Sequence, residues 1–260
     1  MGAVESFFTG WLFCAAFMAA LYLVQRLRGE ADIVDAGWAL SIGLLAFYYA
    51  QVMDGYPTRK LLVALFAGLW SFRLAAYLIS NRVMKPGEDG RYQKLREQWG
   101  NKAQRNFFLF FQGQALLASI LTIPFLVVMS NPVPAFTIMD VLAGMLFVAA
   151  IGGELLADIQ LAQFRADPNN KGKVCSVGLW RYSRHPNYFF EWLHWFTYVA
   201  LAWYGSYWFL TLVSPMIMLY LLWYVTGIPP TEARSLQTRG DAYREYQRTT
   251  SPFFPWFPKQ

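Results

Sequence analysis

Two stretches of this chain run without a charged side chain for longer than a soluble fold of its size readily accommodates. Residues 106–139 are uncharged over 34 positions and residues 192–231 over 40. Two shorter uncharged stretches cover 6–25 and 36–53. Soluble domains place a charge at roughly one residue in four; here 15% of 260 residues are charged and 56% are hydrophobic. A helix crossing a bilayer core needs about 20 apolar residues. The pattern predicts an all-α, polytopic integral membrane protein with about seven transmembrane helices. The expected spans are 6–25, 36–53, 61–81, 107–129, 137–164, 187–203 and 207–227. Asn131, Pro132 and Pro134 break the first long gap, and Tyr204, Gly205 and Ser206 break the second. Proline lacks a donor and glycine has no steric preference, so both punctuate chains.

The cations set an orientation. Lys and Arg collect in cytoplasmic loops. With seven spans and the N-terminus outside, the inner segments 26–35, 82–106, 165–186 and 228–260 hold 2, 7, 5 and 5 of the 22. Arg59 and Lys60 fall outside, and Arg73 lies within a span. The C-terminus is therefore expected in the cytoplasm, and a bacterial inner membrane suits the arrangement. The same rule accounts for part of the net charge of +6, so no nucleic-acid partner is needed to explain it. The first span lacks a basic leader and is followed by Arg26 and Arg28, as a retained helix would be. Two cysteines imply no disulfide framework. No repeat or low-complexity tract divides residues 1–260, so a single transmembrane domain is expected, with no obligate protein partner.

A charge at mid-helix costs about 2.5–3.5 kcal/mol on insertion scales, so such residues usually face a cavity or a partner. Trp70, Arg73, Tyr77 and Asn81 fall on one face of the third span, with Arg82 following. Glu154, Asp158 and Arg165 share a face of the fifth, and Asn187, Glu191 and His194 a face of the sixth. The three stripes suggest a cavity open to the cytoplasm; the plainer alternative is mutual pairing as helix glue.

The densest local signal runs from Gly178 to Glu191. Pro186 suits the first turn of a helix. Free N–H groups there, beside Arg181, Arg184 and His185, are suited to a phosphate or pyrophosphate. The plain reading is a basic loop on anionic headgroups, against which stands Glu191, one turn inside the helix.

Arg184, His185, Pro186, Asn187 and Tyr188, followed by Glu191, resemble the C-terminal signature of the steroid 5α-reductase family. The ending from Tyr243 to Phe257 is similar to its short bacterial branch. The likeness is closest over 150–258 and extends more weakly through Arg73, Tyr77, Asn81 and Arg82 to Asp35. A wider superfamily shares Arg-His-Pro and includes Δ14-sterol reductases and S-adenosylmethionine-dependent isoprenylcysteine carboxyl and phospholipid methyltransferases. Asn187 with an acid four residues later resembles the reductases, because an amide ligand needs both a donor and an acceptor.

The resemblance implies NADPH as cofactor. Asn187 and Glu191 would orient the nicotinamide. Asp158, Arg165, Tyr182, Arg184 and His185 would surround the diphosphate and riboses, and Arg73, Tyr77, Asn81 and Arg82 would line the same cofactor, with Glu232 and Arg234 as further contacts. The wealth of arginine favours NADPH over NADH. No Gly-x-Gly-x-x-Gly fingerprint is present. At the substrate end the mammalian Gln-Glu pair and Tyr are matched here by Val34-Asp35 and Trp70, so Asp35 and Trp70 are the expected catalytic positions, with Asp32, Tyr48 and Tyr49 as other candidates. The implied reaction reduces the C=C bond of an enone lipid such as a 3-oxo-Δ4-steroid, with a donor at or near Asp35 stabilising the enolate. A methyltransferase acting on a membrane-borne acceptor is the alternative, and a transporter or scaffold the third. The 82–106 and 165–186 loops are candidates for a mobile cover over the cofactor.

Overall fold

The computed structural model describes residues 2–133 and 135–259; the break expected at Pro134 lies outside them. Among the described residues every regular element is helical. A backbone in hydrocarbon must satisfy its own N–H and C=O groups, which a helix does within one segment. Among the described residues, six helices or runs of consecutive helical segments are long and apolar enough to cross a membrane: Ala3–Arg28, Ile33–Val52, Pro57–Val83, Gly90–Met129, Ile138–Ala166 and Trp208–Arg239. The expected span 187–203 forms two short helices instead, because the ladder is interrupted at Trp195.

The chain packs as two compact units. The first takes Met1–Phe136 and Leu201–Ser214. It contains α1 (Ala3–Arg28), α2 (Ile33–Val52), α3 (Pro57–Leu78), α4 (Gly90–Trp99), α5 (Ala103–Leu121) and α6 (Ile123–Met129). Small residues allow α2 and α3 to approach closely. Ala36, Ala39, Ala75 and Leu78 form a buried cluster with Trp38, Leu40, Leu74 and Ile79 around it. A Cβ on Gly43 would lie 2.4 Å from the Ser71 hydroxyl, which itself donates to the Ala39 carbonyl at 2.6 Å. The last turn of α3 widens into a π-helical turn, Ile79–Val83, a geometry often found at functional sites.

The second unit takes Thr137–Ala200 and Pro215–Gln260. It contains α7 (Ile138–Ala166), α8 (Pro186–His194), most of α9 (Phe196–Ala202) and of α10 (Val213–Tyr220), α11 (Ile228–Arg239) and α12 (Asp241–Thr249). Thr137 and Asp140 close a capping box at the start of α7, satisfying two otherwise orphaned donors. Pro186 occupies the first turn of α8, where its missing N–H costs nothing. α8 packs tightly on α7: a Cβ on Gly153 would stand 2.4 Å from the Phe190 ring.

Candidate functional site

In the first unit, the polar centre is built where α2 begins and α3 ends. Asp35 lies in the first turn of α2 and accepts three hydrogen bonds. Arg82 Nη1 donates at 2.6 Å, Arg91 Nη2 at 2.9 Å and the Tyr92 hydroxyl at 2.6 Å. Arg82 reaches it from the π turn, while Arg91 and Tyr92 come from α4. One helical turn earlier, both oxygens of Asp32 accept the Asp89 N–H, at 3.1 and 3.2 Å. Glu88 takes the Ala31 N–H at 2.8 Å and the Arg96 guanidinium at 2.7 Å. Burial pushes the Asp32 carboxyl up, and the charges of Asp89, Glu88 and Asp35 push the same way against the Asp89 N–H bond. Burial also opposes ionisation of Asp89, yet its bonds to the Arg91 side chain and backbone prevail and hold it below the usual range.

These contacts revise the substrate-end expectations. Asp35 acts as an acceptor, with its lone pairs engaged by two guanidiniums and a phenol, so it is an anchor rather than the donating acid. Tyr92, which spends its one O–H on this carboxylate, is buried and was not singled out in the sequence. Its signal was present in the charge-dense 82–106 segment, but only tertiary contact turns that segment toward Asp35. Nor is this segment a free cover, since Asp32, Asp35 and Glu88 fasten it to the α1–α2 corner. Trp70 is fully buried, edge-on to Trp38 with ring centroids 6.1 Å apart, and serves the α2–α3 seam. Tyr48 and Tyr49 sit 13 and 14 residues beyond Asp35 on α2, about 20 Å along its axis at 1.5 Å per residue, so they are remote from this centre. Arg73 is half-buried; Tyr77 and Asn81 are exposed, and the Asn81 amide donates to the Tyr77 carbonyl at 3.0 Å. From the end of the third span, Arg82 joins the Asp35 centre.

The second unit brings two of the polar stripes together. The Asn187 amide donates to Asp158 Oδ1 at 3.3 Å across the α7–α8 contact. Asn187 Oδ1 accepts the Tyr188 N–H at 3.0 Å. Glu191 is half-buried one turn further along α8, and Glu154 is buried one turn before Asp158 on α7. An amide and several carboxylates thus share one helix–helix seam, a donor–acceptor set suited to a ligand amide.

Arg184 and His185 do something other than the sequence suggested. Arg184 Nε donates to Glu232 Oε1 at 2.7 Å, and its Nη1 donates to the Gln247 and Thr250 carbonyls at 2.9 and 2.6 Å. The buried His185 ring faces the same Glu232 oxygen at 3.3 Å and stacks on Tyr188 with planes 2° apart. Glu232 Oε2 accepts from Gln247 at 2.7 Å. Burial draws the His185 imidazole below its ordinary value, against the pull of Glu232. The Ser183 hydroxyl donates to the Phe253 carbonyl at 2.8 Å, and the Arg184 N–H to that of Ser251 at 2.9 Å. Arg184 and His185 thus form a clamp: they hold α11, α12 and the C-terminal segment onto the start of α8. Arg165, Arg181 and Arg234 are the exposed cations of this unit's expected site, and Tyr182 is partly exposed against Phe257.

A family model matches residues 21–250, from α1 to the end of α12. The chain belongs to the family DUF1295, described as a protein of unknown function. The matched range takes in both the Asp35 centre and the Arg184–Glu232 clamp of this DUF1295 member. No curated protein and no solved structure matches the chain.

Proposed function

We propose that this protein is a membrane-embedded reductase of the steroid 5α-reductase type, which uses NADPH to reduce the C=C bond of an apolar enone, most simply a 3-oxo-Δ4-steroid. The observation that carries the reading is the Asn187–Asp158 pair with Glu191 on the same seam. In this reading the chain crosses a bacterial inner membrane seven times, with α8 and α9 together as the sixth crossing, the N-terminus outside and the cofactor side facing the cytoplasm.

The second unit's residues fit such a cofactor in part. Asn187 and Glu191 offer the donor and acceptor that a carboxamide requires. Arg165, Arg181 and Arg234 are exposed and supply charge for phosphates, while Arg184 and His185 act indirectly by holding α8 and α11 in place. When bound, the cofactor supplies the hydride. The chain's own work is to fix the carboxamide's orientation, to exclude water with an apolar surround, and to stabilise charge on the substrate oxygen. For the last task, Arg91, held by Asp35 and Asp89 through Nε and Nη2, is the donor this reading assigns, since the N–H groups of its Nη1 are left for a substrate oxygen. Removing one such donor typically costs about 2.7–4 kcal/mol.

One observation favours the methyltransferase reading as second choice. With Arg184 committed to Glu232 and to backbone carbonyls, fewer cations are left for phosphates, and S-adenosylmethionine carries only one carboxylate. Thermal shift of the detergent-purified protein with NADPH and with S-adenosylmethionine tests the two. A shift with NADPH that is lost in Asn187→Ala and Glu191→Gln, followed by turnover of progesterone, is the expected result. A shift with S-adenosylmethionine alone transfers the assignment to methyl transfer.

A further inference from the structure

A cavity lies in the first unit, at the opposite end of α3 from Arg82. From Tyr56 to Arg82 the helical rise of 1.5 Å per residue gives a separation of about 39 Å. The cavity has a volume of about 570 Å³, within the range of roughly 300–1,000 Å³ that encloses a single drug-sized molecule. Its wall comes from the start of α1, from α6 and the segment after it, and from the Tyr204–Tyr207 turn. Phe7, Leu126, Val127, Tyr207 and Leu210 make it mainly apolar, and among the described residues no charged side chain lines it.

Asn131 stands in this wall and is 6% exposed. Three of its four polar groups are engaged. Its N–H donates to Val128 at 3.2 Å and its carbonyl accepts from the Tyr56 N–H at 3.1 Å. Its Oδ1 accepts from the Val133 N–H at 3.1 Å. Nδ2 alone is buried without a protein partner. The amide's orientation follows from chemistry: flipping it would set NH2 against the Val133 N–H. An unpaired buried donor costs about 1–3 kcal/mol, so it is a feature that a ligand acceptor would relieve. Gly205 lies beside it, where a Cβ would stand 3.2 Å from Nδ2. The wall is held from behind: Gly55 N–H bonds the Met129 carbonyl at 2.9 Å, and the buried Arg59 bonds the Val133 and Ala135 carbonyls at 3.0 and 2.7 Å.

We infer that this cavity binds a neutral lipid with one chain or ring system, whose carbonyl oxygen accepts a hydrogen bond from the Asn131 amide. The absence of charge excludes an ionised head, and the free group is a donor, which selects an acceptor. A volume of this size suits one apolar body rather than two acyl chains. The site is independent of the Asn187–Asp158 seam and of the reductase reading.

The probe is a methyl ester of a diazirine-bearing fatty acid, photolysed with the full-length protein in detergent and mapped by peptide mass spectrometry. Labels are expected on residues 123–133 and 204–210. Unlabelled methyl oleate should compete about tenfold better than 1-octadecene, the gain one hydrogen bond provides. Asn131→Asp keeps the acceptor for Val133 and should abolish that preference, whereas Val127→Trp should fill the cavity and remove the labelling. Equal competition by ester and hydrocarbon, labels scattered over the helices, or displacement by dioleoylphosphatidylcholine as readily as by methyl oleate would each overturn the assignment. NADPH plays no part in the readout, so loss of the reductase reading leaves it intact.

Discussion

Arg184 and Glu232 meet at 2.7 Å across 48 residues of sequence, with side chains only 9% and 14% exposed. The pair fastens the Arg-His-Pro segment to α11, and Gln247 brings α12 onto the same carboxylate. Removing one partner of a buried pair strands the other charge and costs about 3–5 kcal/mol. Arg184→Ala and Glu232→Ala should each lower the unfolding temperature of the purified protein sharply. The double variant should lose much less than the sum. Additive losses in a double-mutant cycle would refute the clamp.

Stability should also depend on pH through His185. Burial makes its folded imidazole hold a proton less tightly than the ordinary 6.5. Below that value the unfolded chain binds more protons than the folded one, so stability falls as pH drops. The contribution is present above pH 6.5 and is lost progressively on acidification. Thermal melts between pH 5 and 8 in His185→Gln should show a flatter profile than the parent; an unchanged slope would exclude His185 as the source.

Under the reductase reading, Arg91→Met removes the guanidinium donor while Arg82 and Tyr92 still engage Asp35. Turnover of an enone steroid should fall by on the order of 10²–10³, with NADPH affinity kept. Asp35→Asn should fall similarly, because Arg82 and Arg91 lose their shared carboxylate. Wild-type turnover by Arg91→Met would remove this arginine from the mechanism.

Gly55→Ala tests the wall behind the cavity that Asn131 lines. A Cβ there would lie 2.1 Å from the Met129 carbonyl oxygen, a backbone atom that cannot rotate away. Overpacking of this kind costs about 1–3 kcal/mol. A clear drop in melting temperature is expected; a neutral effect would mean that this turn is loosely held.

Much of the fold was legible because the bilayer imposes a one-dimensional constraint. Charge gaps in 6–25, 36–53 and 106–139 map onto helices because each span must satisfy its own backbone. The breaks at Asn131 and around Gly205, and the start of α8 at Pro186, are local chemistry and were readable in the same way. The interruption at Trp195 was not, since no proline or glycine marks it.

The sequence by itself determined membrane residence, helical class and the polar faces of α7 and α8, since periodicity and charge depletion are properties of a single segment. Tertiary structure decided what the polar residues do. Arg184 looked like a phosphate ligand until Glu232, Gln247 and Thr250 took its donors, and Asp35 looked like an acid until Arg82, Arg91 and Tyr92 took its lone pairs. A side chain's charge is written in the sequence, but its partner is chosen by residues 47 to 66 positions away, and hydrogen-bond capacity spent on such a partner is unavailable to a ligand.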